Sequence, residues 1–248
     1  MTRLIALTTW LVGATALPVA AQPQEWRILD NSFLVEEAFN QERGVFQNIL
    51  TWTRVRSREW VGTFTQEWPV PGTRHQFSYT IPFSQVGDVG GFDDCFVNYR
   101  IQILGGENGA LALAPRISVT LPTGSATKQL GAGKAGLQVN IPASRQFGSL
   151  YVHGNGGITW IPDIQNMVTV AGSGIWQATP MFHLMLEAVA QMAQDDDSFT
   201  LSPGFRRGWG DEKQFVIGLA LPVTWSGARS ETAFLTYLSY ELPFRKLH

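Results

Sequence analysis

The sequence predicts an all-β protein that forms a single antiparallel, up-and-down transmembrane β-barrel of about 12 strands. Charged residues make up only 15% of the 248 residues, while aromatic residues reach 12%. A water-soluble domain usually carries nearer a quarter charged residues. After residue 22 no apolar run is as long as a membrane-spanning helix requires. The chain instead reads as segments of about ten residues with alternating polarity, separated by turn residues, which is typical of membrane barrels.

Residues 1–21 have the features of a cleavable signal peptide. Arg3 supplies a positive charge, residues 4–19 form an apolar stretch, and residues 19–21 offer a small-residue cleavage site. The alternative is an uncleaved anchor, which the short and interrupted apolar stretch disfavours. Export predicts a location in the bacterial outer membrane, with assembly by the barrel-assembly machinery. The single cysteine, Cys95, excludes an intramolecular disulfide.

Residues 45–248 are predicted to form the barrel. We expect strands at roughly 45–55, 58–68, 73–83, 91–104, 110–121, 135–144, 149–161, 166–177, 181–191, 198–206, 213–224 and 232–244. In the third of these, Phe77, Tyr79 and Ile81 share one face, and Gln76 and Ser78 share the other. In water the apolar face would be a core, whereas in a membrane it is the outside of the barrel.

The connections between the strands alternate in length. The turns at 69–72, 105–109, 145–148, 178–180 and 208–212 are short, and the longest connection is 122–134. Membrane barrels have short periplasmic turns and longer external loops. We therefore expect both chain ends on the periplasmic side and the Gly-rich stretch 122–134 outside, where Lys128 and Lys134 are candidates to contact lipopolysaccharide phosphates.

Two stretches leave alternatives open. Residues 22–44 do not fit the strand count and are interpreted either as a periplasmic or lumen-packed segment or as a mobile N-terminal tail. Residues 181–192 are rich in helix formers. We predict a strand there, because helix propensity is a weak prior that tertiary context overrides.

Several segments resemble outer-membrane proteins of the meta-pathway phenol-degradation, or transporter-like, family. They are NSFLVEEAFNQERGVFQNI (31–49), TFTQEWPVPGTRHQFSYTIPF (63–83), PRISVTLPTGSATKQLGAGKAGLQVNIP (115–142) and FLTYLSYELPF (234–244). The resemblance spans nearly the whole mature chain and contains no catalytic signature. It implies an outer-membrane barrel that moves small, in particular aromatic, compounds.

The polar face of the predicted strands supplies the candidate functional residues. If the apolar faces contact lipid, the lumen receives charged residues of both signs: Glu59, Glu67, Arg74, Asp94, Arg100, Arg116, Glu187, Arg206 and Glu241. Such a set can line a path or form a salt-bridged, filled interior, because a twelve-stranded barrel is narrow. The leading hypothesis is a passive channel for small molecules with no cofactor, whose partners are outer-membrane lipid, lipopolysaccharide and an unidentified permeant.

The alternative hypothesis is a membrane-embedded, phospholipase-like enzyme. His153 and Asn155 lie two residues apart and therefore on one strand face, where a serine could complete a hydrolytic arrangement. No serine with a recognisable motif is apparent beside them, so no enzymatic activity is predicted. The four histidines lack partners at metal-ligand spacing. Residues 195–197 are three aspartates that can bind Ca²⁺ but are better interpreted as a solvated loop. Charge is near balance, with 18 basic and 20 acidic side chains, so nucleic acid is not an expected partner.

Overall fold

The computed structural model describes Ile28 and residues 31–56, 59–105, 110–194, 197–210 and 214–244. The predicted signal peptide lies outside these residues. The strands are β1 (Val45–Arg56), β2 (Glu59–Trp68), β3 (His75–Val86), β4 (Val89–Phe92), β5 (Cys95–Ile101), β6 (Leu104–Gly105), β7 (Ala112–Leu113), β8 (Arg116–Leu121), β9 (Gly136–Phe147), β10 (Leu150–Ile161), β11 (Gln165–Thr179), β12 (Phe182–Ala193), β13 (Ser198–Trp209), β14 (Phe215–Ala220), β15 (Val223–Ser226), β16 (Arg229–Thr232) and β17 (Phe234–Pro243).

Short breaks divide four of the barrel strands into these segments, so that β4–β6, β7–β8, β14–β15 and β16–β17 each act as one strand of a twelve-stranded barrel. All pairings are antiparallel between neighbours. The barrel closes where β1 pairs with β17, from Val45 opposite Pro243 to Arg54 opposite Phe234. Closure leaves no free sheet edge, which a membrane requires because lipid cannot satisfy backbone hydrogen bonds. The predicted fold class is therefore confirmed.

The barrel is polar inside and apolar outside. In β3, Gln76 and Ser78 are buried, whereas Phe77, Tyr79 and Ile81 on the opposite face remain partly exposed. Large apolar side chains are exposed on every long strand, and tryptophans near strand ends are exposed as well, among them Trp160, Trp176 and Trp225. A soluble two-sheet core would bury these aromatic rings, so the outer surface is suited to lipid.

The stretch rich in helix formers is a strand. β12 pairs over its length with β11 and over most of it with β13. Its residues alternate strictly at the start, with His183, Met185 and Glu187 buried and Leu184 and Leu186 exposed. Pairing on both sides outweighs the helix propensity of the stretch.

Two predicted external loops prove to be hairpins that continue the barrel wall. β3 extends to Val86 and β4 starts at Val89, while β15 ends at Ser226 and β16 starts at Arg229. Gly87 and Gly227 have φ angles of 61° and 55° in the two tight turns. Glycine adopts this left-handed conformation without steric cost, which permits a two-residue hairpin turn. At these two hairpins the predicted strands were therefore about two to three residues too short.

Residues 122–135 form the long loop between β8 and β9, and Asp94 anchors it. The Asp94 side chain is 4% exposed. Its Oδ1 accepts a hydrogen bond from the Gly124 N–H (2.9 Å) and its Oδ2 one from the Ala132 N–H (2.6 Å). Gly131 has φ of 88°, and a Cβ there would overlap the Asp94 carboxylate. One carboxylate thus fixes both halves of the loop.

We expect Asp94→Ala to free this loop. The substitution leaves two partly buried N–H groups without their acceptor, and the full cost of about 1–3 kcal/mol for a buried group is an upper limit for each. Limited proteolysis should then cleave within residues 122–135 faster than in the wild type, with the barrel strands intact. Asp93→Ala is the matched control and should leave the cleavage rate unchanged. Equal rates for both variants would contradict the anchoring role.

Within the described residues, no helix is long and apolar enough to span a membrane. The loop between β8 and β9 contains one turn of 3-10 helix, Ala126–Lys128. Lys134 in the same loop forms an ion pair with Asp163 at 2.7 Å, which ties the loop to the β10–β11 turn.

Candidate functional site

The candidate site is the barrel interior, which is occupied in part by the chain's own residues. Residues 31–44, here called the inner segment, form no strand and lie against the inward-facing side chains of the wall. The Leu34 and Val35 N–H groups both donate to Glu187 Oε1, at 2.8 and 3.0 Å. The Gln41 N–H donates to Gln76 Oε1 at 2.8 Å. Irregular backbone away from water requires such partners, and the polar wall supplies them.

Glu36 of the inner segment is the centre of an ion-pair cluster. Its Oε1 lies 3.1 Å from Arg100 Nη1, and its Oε2 lies 2.9 Å from Arg116 Nε. The Asn140 side-chain amide donates to Oε2 at 2.7 Å. Burial by itself raises the pKa of the Glu36 carboxyl, but the nearby Arg116 and Arg100 outweigh it, so that the pKa lies below its usual value. Glu36 is therefore a carboxylate at neutral pH.

Arg100 binds the backbone of the inner segment in addition to the Glu36 carboxylate. The side chain is 2% exposed. It donates to the Glu37 carbonyl at 2.9 Å, to the Phe39 carbonyl at 2.5 Å and to Asn40 Oδ1 at 2.9 Å. With the Glu36 contact, one guanidinium binds four successive parts of the segment. Its fixed fork of donors suits this multiple role.

Arg206 holds the start of the inner segment and Ile28, which precedes it. Its Nη1 donates to the Asn31 carbonyl at 3.0 Å and its Nη2 to the Ile28 carbonyl at 3.3 Å. Arg206 Nη1 also lies 3.7 Å from Glu37 Oε1. The segment is therefore attached by Arg206 at its start and by Arg100 across its middle.

His153 faces the lumen and contacts a serine that sequence reasoning missed. Ser144 lies directly opposite His153 in the β9–β10 register, and its Oγ is 2.8 Å from His153 Nδ1. Glu37 Oε1 is 3.6 Å from His153 Nε2. A serine does lie beside the histidine, contrary to the expectation, because pairing register and not sequence proximity joins them.

This Ser–His–Glu arrangement does not support the lipid-modifying alternative. Ser144 and His153 are 1% and 2% exposed and face the interior, away from lipid. Ser144 Oγ also accepts a hydrogen bond from the Ala38 N–H at 2.8 Å. A substrate would have to displace the inner segment, and Glu37 would leave with it. The three residues are best understood as attachments of the segment.

Aromatic rings complete the packing of the inner segment. Phe33 packs on Tyr237, with ring centroids 5.0 Å apart. Gly218 provides the space for this ring, because a Cβ there would lie 2.1 Å from Phe33 Cζ. Phe39 meets His153 edge-on at 6.4 Å. The wall thus offers apolar pockets between its polar side chains.

Of the candidate residues predicted from sequence, five contact the inner segment: Glu67, Arg100, Arg116, Glu187 and Arg206. Glu67 Oε2 accepts from the Gln76 amide at 2.7 Å and lies 3.5 Å from the Asn31 amide. Glu241 is placed opposite Gln47, whose side chain is fully buried.

The other three candidates lie away from the segment. Glu59 is at the end of β2, where its half-exposed side chain pairs with Arg56 at 3.6 Å. Arg74 lies in the turn before β3, is exposed, and donates to the Gln102 carbonyl at 3.4 Å. Asp94 is the loop anchor described above. Each of the three lies before its strand or is its first residue, where the alternation of polar and apolar side chains no longer indicates which of them face the lumen.

Neutral side chains of the wall were not among the candidates. Asn155 donates to the Glu36 carbonyl at 2.6 Å and accepts from its N–H at 2.7 Å. The Gln102 amide donates to the Ala38 carbonyl at 3.1 Å. The available signal was their position on the polar face of a strand, which charge alone did not reveal. Among the described residues, no group of three potential metal ligands comes together.

The fold and this interior define a closed, twelve-stranded transmembrane barrel whose lumen holds a segment of its own chain. No family model and no curated protein matches the sequence. Solved structures do match: an outer membrane channel designated COG4313, from Pseudomonas putida F1, has a TM-score of 0.61 at 13% identity, covering 90% of this chain and 99% of that one. The KdgM porin has a TM-score of 0.55 at 8% identity, covering 79% and 98%. At these identities the likeness concerns the fold.

Proposed function

We propose that this protein is a bacterial outer-membrane channel for small molecules, in which residues 31–44 act as a gate. The observation that carries the proposal is how the inner segment is held. Its backbone is bound by side chains of the wall, among them Arg100, Arg206, Glu187 and Asn155, and not by strand pairing. Side-chain attachments of this kind can open without disturbing any pairing of the barrel.

The outer membrane is the proposed location because the exterior is apolar and the similar solved structures are an outer membrane channel and a porin. Lipid and lipopolysaccharide are then the surrounding partners, and assembly falls to the barrel-assembly machinery. The exposed Lys128 is a candidate contact for lipopolysaccharide phosphates, whereas Lys134 already pairs with Asp163.

We further propose that the permeant is an aromatic compound. It rests on the resemblance to the meta-pathway phenol-degradation family and on the apolar pockets that hold Phe33 and Phe39 of the inner segment. When the segment withdraws, these pockets can accept an aromatic ring of similar size. In this respect the segment occupies the space that the permeant would use.

A disulfide lock tests the gate. Ser32 Oγ of the inner segment and Ser173 Oγ of β11 are 3.1 Å apart, close enough for cysteines at these positions to form a disulfide. We expect Ser32→Cys/Ser173→Cys, in a Cys95→Ser background, to lose its open-channel events in planar bilayers when oxidised. Reduction should restore the events, because it frees the segment.

The Ser173→Cys variant in the same background is the matched control and should conduct equally in both redox states. Open events of undiminished size and frequency in the oxidised double variant would overturn the gate. Absence of any conductance, in the wild type and in the reduced variant alike, would overturn the channel itself.

A further inference from the structure

The half of the lumen that faces the long loop differs from the half that holds the inner segment. Its inward positions carry threonines that pair across neighbouring strands on the lumen side. The hydroxyl oxygens are 2.6 Å apart in Thr51–Thr63, 2.8 Å in Thr65–Thr80 and 2.8 Å in Thr200–Thr224. The Gln138 amide donates to Thr159 in the same way at 2.9 Å. We call this half the threonine vestibule.

These threonines lie in the lumen because they continue the alternation of residues that contact the inner segment. Thr51 follows Gln47 and Ile49 at a spacing of two on β1, and both of these are buried. Thr80 follows Gln76 and Ser78 on β3 in the same manner. All seven threonines are partly exposed, so they line open space and do not pack into a core.

Two charged side chains of the described wall reach the vestibule, and both are held by partners. Asp94 accepts hydrogen bonds from the Gly124 and Ala132 N–H groups of the long loop, and Arg116 donates to Gln138 while it pairs with Glu36. Arg100, Arg116 and Arg206 are engaged by Glu36 and Glu37 of the inner segment. At the opposite end, Arg56 pairs with Glu59 and Glu231 at the mouth. Between these two groups the other inward strand positions of the described residues are hydroxyl, amide or apolar.

We propose that the threonine vestibule selects uncharged, hydrogen-bonding solutes and discriminates against ions of either sign. The inference rests on the channel function proposed above and names the chemical class of its permeant. Monosaccharide-sized polyols and phenols belong to this class.

The physical reason is the different cost of losing water in a narrow bore. A hydroxyl both donates and accepts, so a neutral polar solute exchanges its water contacts for threonine contacts. An ion loses far more solvation energy, and a wall that offers mainly hydroxyls and amides does not compensate for it.

Three solutes of similar size test this selectivity in proteoliposomes: neutral glucose, anionic gluconate and cationic glucosamine. The Arg100→Ala variant, in which we expect the gate to be open, is used beside the wild type. We expect glucose to enter about tenfold faster than gluconate or glucosamine, which corresponds to a difference of about 1.4 kcal/mol in the cost of losing water. In planar bilayers the reversal potential in a KCl gradient should lie near zero.

Two substitutions at one position then separate charge from hydroxyl. Thr65→Glu should shift the reversal potential towards that of K⁺ and speed glucosamine relative to gluconate. Thr65→Val keeps the shape, and should slow glucose without moving the reversal potential. Ser230→Glu, in the exposed strand β16, adds the same charge outside the vestibule and should change neither quantity.

The outcomes distinguish the inference from the function on which it rests. Faster entry of gluconate or glucosamine than of glucose, or a strongly displaced reversal potential in the unsubstituted vestibule, overturns the selectivity while the channel stands. If none of the three solutes enters through either the wild type or Arg100→Ala, the proposed channel function is overturned, and the proposed selectivity with it.

Discussion

Replacing Arg100 with alanine will release the inner segment and give the largest gain in conductance of any single substitution. The change removes four contacts at once, to Glu36, Glu37, Phe39 and Asn40. It also leaves Glu36 in the lumen with Arg116 as its only guanidinium partner within ion-pair distance among the described residues. Breaking a buried ion pair by removing one partner costs about 3–5 kcal/mol. Single-channel recordings should show long open states that are rare in the wild type.

Two controls accompany this variant. Arg74→Ala removes an arginine that is exposed in a turn and should behave as wild type. Arg100→Lys keeps the charge but cannot reproduce the fork of donors, so its open probability should fall between wild type and Arg100→Ala. The barrel should remain folded in each case, as judged by heat-modifiable migration in gels. A correctly folded Arg100→Ala barrel with wild-type conductance would show that the segment is held by other contacts.

The barrel was predictable because the alternation of polar and apolar side chains is a property of each strand alone. A period of two in stretches such as 75–83 and 115–121 decides which side chains point together, whatever the neighbouring strand is. What alternation cannot decide is which face is inside, and here the low charged fraction of the chain supplied the answer. The same reasoning placed 181–192 in a strand against its helix propensity.

The site was less predictable because it depends on register and on a segment without periodicity. Ser144 meets His153 only because the turn at 148–149 pairs them across β9 and β10, and nothing local in the sequence marks that pairing. The inner segment follows no repeat of its own, because the wall side chains that bind its backbone come from several strands at irregular spacing. Only charged residues were named as lumen candidates from the sequence, so Asn140, which also binds the inner segment, was not among them, and Asn155 was considered only beside His153.

Ion pairs and hydrogen bonds between segment and wall also explain why the interior carries both signs. Glu36 and Glu37 require arginines in the wall, and the wall arginines require these carboxylates, because neither tolerates burial without a partner. The charges predicted from sequence therefore serve first to hold the segment. Selectivity for a permeant is then set elsewhere, by the neutral positions that the charges leave open.

Gly218→Ala will weaken the gate through shape alone. A single Cβ at this position would lie 2.1 Å from Cζ and 2.4 Å from Cε1 of Phe33, so the ring must leave its place against Tyr237. Overpacking of this kind costs about 1–3 kcal/mol, and here the cost falls on the closed state because only the segment can move. Open probability in planar bilayers should rise, and protease should cut the inner segment faster.

Gly174→Ala is the matched control, since a Cβ there meets nothing within 4 Å, and it should leave the gate unchanged. The double variant Gly218→Ala/Phe33→Ala removes the overlap but also the packing on Tyr237. If the overlap is the cause, adding Gly218→Ala to Phe33→Ala should raise the open probability no further. An additional rise of the same size as in the wild-type background would mean that the alanine acts on the barrel wall and not on the segment, because the two effects would then be independent.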